Sequence, residues 1–86
     1  MIKDGFVLRK MPGLNLVMPA GENVKEFQGA LMLNDTGALI FEALQNGGTS
    51  EDAAALLTRE YDVTMEKALA SVQNTVDSLR EAGVIQ

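Results

Sequence analysis

The 86-residue sequence predicts one α+β domain, a three-stranded antiparallel sheet followed by three helices in a winged helix-turn-helix-like arrangement. Three observations carry that expectation. Up to Leu33 the apolar residues recur with the period of two that marks strands, interrupted at Pro12-Gly13 and again over 19–23. From Asn34 onward the apolar period becomes that of a helix. Finally, the second and third helical runs are joined by only a few residues around "YDVT", the short connection of a helix-turn-helix.

The elements follow in order. Residues 5–11, "GFVLRKM", are rich in β-formers, Pro12-Gly13 is a turn dipeptide, and "LNLVM" follows; two short runs about Pro-Gly read as a hairpin. In the second run Leu14, Leu16 and Met18 share one face, Asn15 and Val17 the other. After the turn "PAGEN", a third strand is expected from Lys25 to Leu33, half buried at most. Phe27, Gly29, Leu31 and Leu33 alternate there with Glu26, Gln28, Ala30 and Met32.

Asn34 caps the first helix, because its side-chain oxygen can accept from an orphan backbone N–H one turn on. Gly37, Ile40, Phe41 and Leu44 then form one helical face, and Gly37 is expected to admit the close approach of another backbone. Gly47 and Gly48 stop the helix. In the second helix Thr49 with Asp52 fits a capping box, and Ala53, Leu57 and Tyr61 are its expected inner stripe. The third helix starts near Thr64, with Val63 and Ala68 placed as a hydrophobic staple and Leu69, Val72, Val76 and Leu79 facing inward. Gly83 ends it, and "VIQ" is expected to run out of the domain.

Composition narrows the function classes. With 47% hydrophobic residues the chain is globular rather than disordered, and its length allows one small core. The chain has no cysteine, so neither a disulfide framework nor a thiolate metal site is available, and no histidine, the commonest metal ligand and general base. No cofactor and no enzymatic activity are expected. "MIKDGFVLRKM" lacks the apolar core of a signal peptide, and no apolar run approaches the roughly 18 residues of a membrane span. The expectation is a cytoplasmic protein with no membrane partner. Seven basic against twelve acidic residues give a net charge of −5, the wrong balance for a phosphate backbone.

Several features can be read two ways. The junction "LNDTG" resembles an anion cradle at a helix N-terminus, but it lacks the glycines and lysine of a P-loop, and Asp35 would repel phosphate; a capped helix start is the simpler reading. Asp35, Glu42, Glu51, Asp52, Glu60, Asp62, Glu66, Asp77 and Glu81 are spread over helices and read as solvated faces rather than a catalytic pair. "Asp62-x-Thr64" does not continue into a calcium loop. As a DNA-recognition helix the third helix would offer Lys67, Gln73, Asn74 and Arg80 against Glu66, Asp77 and Glu81. The methionines are expected to fill the core, with Met32 and Met65 flanking any groove between the third strand and the third helix.

The third strand is the most informative element. If the strands pair in order it is an edge, and from Phe27 to Leu33 it carries neither proline nor charge, the usual defences of an edge. Either a helix covers it or it is open to an extended peptide by strand addition.

"GFVLRK", the stretch "EFQGALMLNDTGALIFEAL", the run "TSEDAAALLTREYDV" and the closing "VDSLREAGVI" resemble the PqqD family, the pyrroloquinoline quinone synthesis protein D-like domains also called RiPP recognition elements. The resemblance covers residues 5–85. It implies the same sheet and helices and a non-catalytic role, in which the leader of a ribosomally made precursor peptide adds as a strand beside the third strand and packs against the third helix. It implies as partners that precursor and a modifying enzyme, often of the radical S-adenosylmethionine type. Carried onto this chain, the peptide-binding residues are Glu26, Phe27, Gln28, Gly29, Ala30, Leu31 and Met32 on the strand, and Ala68, Ser71, Val72, Thr75, Ser78 and Leu79 on the helix. Family members often have an acid and then a bulky aromatic where this chain has Ser71 and Thr75, so its groove wall is smaller and more polar. A homodimer through the same edge strand would use the same backbone groups, and a winged-helix DNA-binding regulator is the alternative function.

The charge balance makes a direct prediction. A gel-shift titration on generic duplex DNA at physiological salt should show no submicromolar binding; tight binding with a steep salt slope would overturn the charge argument.

Overall fold

The computed structural model describes residues 2–20 and 30–85. Among them lie, in order, β1 (Phe6–Met11), β2 (Leu14–Pro19), β3 (Leu31–Leu33), α1 (Asp35–Gln45), α2 (Ser50–Glu60) and α3 (Met65–Glu81). The sheet has the order β1-β2-β3 and both pairings are antiparallel. Gly13 supplies the positive φ, 73°, that the two-residue hairpin turn requires. The α+β class, the element order and the hairpin are as the sequence predicts.

Register decides which face of the sheet is the inside. Asn15 and Val17 of β2 are buried, whereas Leu14 is exposed and Leu16 and Met18 are half-buried. The less hydrophobic of the two alternating faces is therefore the core face. β3 pairs through Asn15↔Leu33, Leu16↔Met32 and Val17↔Leu31, which puts Leu31 and Leu33 on the core side and leaves Met32 outside, 68% exposed.

The helices begin and end on the residues that physics assigns. Asn34 accepts from the Gly37 N–H at 2.7 Å. In α2 both bonds of the Thr49–Asp52 capping box form, at 3.1 and 2.9 Å, and Thr64 caps α3 by accepting from the Lys67 N–H. Both α1 and α3 close in Schellman turns on a positive-φ glycine. Gly48 N–H donates to Ala43 O and Gly47 N–H to Leu44 O after α1; Val84 N–H donates to Leu79 O and Gly83 N–H to Arg80 O after α3.

The core gathers Phe6 and Val17 from the sheet, Ile40, Phe41 and Leu44 from α1, Ala53, Ala54 and Leu57 from α2, and Ala68, Val72, Val76 and Leu79 from α3. Four sequence expectations need correction here. Leu69 is exposed and Ala68, one turn before Val72, takes its place on the inner face of α3, while Val72, Val76 and Leu79 are buried as expected. Tyr61 is the C-cap of α2 with extended backbone and is 41% exposed, so it leaves the helical stripe. The methionines do not fill the core: Met11, Met32 and Met65 are exposed and Met18 is half-buried, while Met1 lies outside the described residues. The tail does not run out of the domain. The turn at Gly83 sends Val84 back into the core at 0% exposure, Ile85 pairs with Ile2 in an isolated bridge, and Lys3 N–H donates to Val84 O at 2.8 Å.

Two further expectations are only partly covered. The strand predicted over 25–33 is described from Leu31, and its earlier residues through Gly29 lie outside the described residues; Ala30 precedes the strand and is exposed. Close approach at Gly37 does occur, but to side chains rather than a backbone: an added Cβ would stand 3.2 Å from Asn34 Oδ1 and 3.3 Å from Leu33 Cβ.

Because Val84 closes the core from the last turn, Val84→Ala should lower unfolding stability by roughly 2 kcal/mol, the order found when two buried methyl groups are removed. Urea denaturation followed by circular dichroism measures this, and a loss of only a few tenths would mean that the tail is a passive extension.

Candidate functional site

A candidate site forms where β3 meets α1 beside α3. β2 covers one edge of β3; among the described residues no strand pairs with the other. That open edge lacks the charges carried at the opposite side of the sheet, where β1 bears Arg9 and Lys10.

One buried amide places the edge. Asn15 is 3% exposed, and its Nδ2 donates to Leu33 O at 3.3 Å and to Asp35 Oδ1 at 2.9 Å. A buried amide without partners costs on the order of 1–3 kcal/mol, so the site is stable only when the end of β3 and the first residue of α1 are both in reach. Asp35 is also the acidic residue of the first helical turn, where the macrodipole favours it. The abrupt delivery of strand into helix is thus held from three sides: the Asn34 cap, the Asn15 amide and the tight packing at Gly37.

Alongside this junction α3 presents a small polar stripe, and two adjoining clefts separate it from β3. One, of about 230 Å³, is lined by Leu31, Met32 and Leu33 on the strand, Asn34 and Gly37 at the junction, and Asn74, Thr75 and Ser78 on the helix. The other, of about 240 Å³, lies further toward the start of α1 and is lined by Asn34, Thr36, Gly37, Ser71, Asn74 and Thr75. They share Asn34, Gly37, Asn74 and Thr75 and together make one groove along the open edge. No lining residue carries a charge.

Of the predicted site residues, the structure brings Leu31, Met32, Ser71, Thr75 and Ser78 to the groove. Ala68, Val72 and Leu79 do not line either cleft; they are buried on the neighbouring, core-facing flank of α3 and support the wall from the core. Ala30 is exposed next to the strand and lines neither cleft, and Glu26, Phe27, Gln28 and Gly29 lie outside the described residues. Sequence reasoning missed Asn74, which follows Ser71 by three residues and so shares its face. It also missed Leu33, taken as the end of the strand, and Asn34, Thr36 and Gly37, taken as the helix start, all of which line the groove.

The surface of α3 is poorly furnished for DNA. Gln73 Nε2 donates to Asp77 Oδ1 at 2.9 Å, Arg80 Nη1 lies 3.8 Å from the same oxygen, and Asn74 points into the groove. Three of the four side chains that a recognition helix would use are occupied by their own helix or turned aside. A third cleft, of about 320 Å³, on the other side of α1 is lined by Lys10, Asn15, Asp35, Ala38, Leu39, Glu42, Glu60 and Tyr61, and Lys10 forms an ion pair with Glu42 there. Its carboxylates come from α1 and α2.

The family model for coenzyme PQQ synthesis protein D (PqqD) matches residues 16–85, and the chain belongs to that family. No curated protein sequence matches it. Two solved structures share its architecture. TbiB1 in complex with the TbiA(beta) leader peptide aligns with a TM-score of 0.80 at 15% identity, covering 99% of this chain and 93% of the other. A lasso peptide synthetase B1 complexed with the leader peptide aligns with a TM-score of 0.74 at 26% identity, covering 96% and 92%. The DNA-binding alternative finds no support among these relatives.

If Asn15 holds the junction, Asn15→Ala should cost about 2 kcal/mol by removing two partly buried hydrogen bonds, one of them to a carboxylate. Asp35→Asn, which keeps an acceptor oxygen, should cost less. Urea midpoints at constant m-value would show this order; equal and small losses would mean the amide is not the tie.

Proposed function

We propose that this member of the PqqD family binds the leader segment of a ribosomally made precursor peptide as an added strand beside β3 and presents it to a modifying enzyme, performing no chemistry of its own. The observation that carries this reading is the open edge of β3 running beside an uncharged groove on α3. Strand addition supplies affinity through main-chain hydrogen bonds, which any sequence can make, and selectivity through alternate side chains, which the groove receives. The two structural neighbours, both solved with leader peptides, favour the same ligand class.

The groove offers a binding surface and little catalytic machinery, since its lining is serine, threonine, asparagine, leucine, methionine and glycine. A hydroxyl there has no histidine to activate it, the chain having none. The chemistry then belongs to the partner, for which family resemblance favours a radical S-adenosylmethionine enzyme. We place the exchange in the cytoplasm, where a ribosomal precursor is made. A homodimer through β3 would occupy the same backbone groups and compete with the leader.

Thr75 sits at the point common to both clefts and is half-buried at the core's margin. Thr75→Arg should fill the groove and weaken the cognate leader at least tenfold, about 1.4 kcal/mol, while the circular dichroism spectrum stays that of the parent. Calorimetry with the leader of its precursor peptide is the measurement. Unchanged affinity in a folded variant would place the peptide elsewhere, and concentration-dependent self-association abolished by the same substitution would favour the homodimer.

A further inference from the structure

The side of the sheet turned away from the core is apolar. The register sets its rows: Val7 faces Met18, Met11 faces Leu14, and Arg9, Leu16 and Met32 run across all three strands. These residues lie on the face opposite Asn15 and Val17, the buried residues of β2. Val7, Met11, Leu14 and Met32 are exposed, and Leu16 and Met18, on the central strand, are half-buried. Single exposed apolar residues are ordinary on a protein surface. Here six are joined by direct pairing across three strands into one continuous patch, the mark of a surface that meets another molecule. Three of the six are methionine, whose flexible side chain adapts to the shape of what covers it.

One charge interrupts the patch. Arg9 stands between Val7 and Met11 on its own strand and opposite Leu16 on the next. It is exposed, and among the described residues no carboxylate pairs with it, whereas the adjacent Lys10, on the other face, is held by Glu42. Covering the patch takes the Arg9 guanidinium out of water, which is costly unless the cover brings a carboxylate. A second copy of the chain brings none. Every member of the patch besides Arg9 is apolar, so two such faces laid together would bury two cations and no anion. Position narrows the occupant further. Met32 belongs to the patch and also lines the cleft at the open edge of β3, so whatever covers the patch stands directly beside a strand added there.

We infer that this outer face of the sheet is the docking surface for the modifying enzyme, and that the enzyme meets it with apolar side chains set around an Asp or Glu that pairs with Arg9. The inference rests on the proposed adaptor role and deepens it. The leader takes the edge of the sheet and the enzyme takes its outer face, both at once, with Met32 between them. Arginine and methionine are enriched at protein–protein interfaces, and an arginine in an apolar surround is a common anchor of binding energy.

Substitutions on β1 separate the two sites, because that strand lies at the far side of the sheet from the open edge of β3. In Arg9→Glu, Arg9→Met and Met11→Glu the urea midpoint and the calorimetric affinity for the leader should stay those of the parent. Affinity for the purified modifying enzyme of the same precursor, titrated against the immobilised full chain, should fall about tenfold in Arg9→Glu and Met11→Glu. It should fall severalfold in Arg9→Met, which keeps the apolar contact and loses the charge. Enzyme binding unchanged in Arg9→Glu and Met11→Glu overturns the inference and leaves strand addition standing. Arg9→Met binding as tightly as the parent overturns it too, since the enzyme then supplies no carboxylate. A lowered urea midpoint in Met11→Glu would mean that the chain covers this face itself, and sedimentation of the parent as a dimer that Met11→Glu disperses would mean that a second copy does; either result overturns it. A parent that binds no leader overturns strand addition, and the adaptor role on which the inference rests falls with it.

Discussion

The site depends on a single buried amide. Asn15 is the buried polar side chain on the core face of β2, and burying it is favourable only because both Leu33 O and the Asp35 carboxylate meet it. Those two acceptors lie on either side of Asn34, the residue at which strand becomes helix. Asn15 therefore fixes where β3 stops, which backbone groups precede the stop, and the direction in which α1 departs. An apolar residue would pack there, but it would not choose the register. A slip of β3 by one residue would turn Leu31 and Leu33 outward and Met32 inward, and it would also leave the amide without its partners.

The rest of the fold keeps α3 beside that junction. The Thr49–Asp52 box starts α2 at a defined residue, Thr64 starts α3, and α3 packs through Ala68, Val72, Val76 and Leu79. At the other end the Gly83 turn folds Val84 under the helix, and Ile85 is bridged to Ile2, which ties both ends of the described chain to the core. With its inner flank fixed in this way, α3 is held to present Ser71, Asn74, Thr75 and Ser78 on its next flank, facing the open edge.

Much of this was legible in the sequence because it rests on local rules. Caps at Asn34, Thr49 and Thr64 and the glycine stops need only neighbours three to five residues away. The hairpin about Pro12-Gly13 is equally local. The misreadings share a different cause. Leu69 against Ala68 is a choice between adjacent positions, which hydrophobicity settles in favour of leucine and packing settles in favour of the residue small enough to fit. Tyr61 looked like the next member of a stripe, but the helix ends there. The inner face of β2 carries asparagine, and no periodicity argument would prefer it over Leu14, Leu16 and Met18. Val84 and Ile85 return to the core because of a turn whose consequence is tertiary. In the groove, the helix stripe was visible from spacing, whereas the contribution of Asn34, Thr36 and Gly37 was hidden by their evident role as a helix start.

The shortness of β3 bears on binding. A described strand of three residues, paired on one side, contributes few main-chain hydrogen bonds of its own and would be marginal without Asn15 and the Leu31 and Leu33 contacts. A fourth strand on its open side would bond to that otherwise unpaired edge and cover the groove, so ligand and edge would stabilise each other. Under such coupling the main-chain bonds reward any extended peptide, and discrimination has to come from side chains. Large apolar pockets discriminate poorly between similar apolar residues, whereas groups that must be hydrogen-bonded reject a ligand that leaves them unpaired. As a binding wall, Ser71, Asn74 and Thr75 would give up contact area relative to bulky residues, and selectivity there would have to come from polar matching.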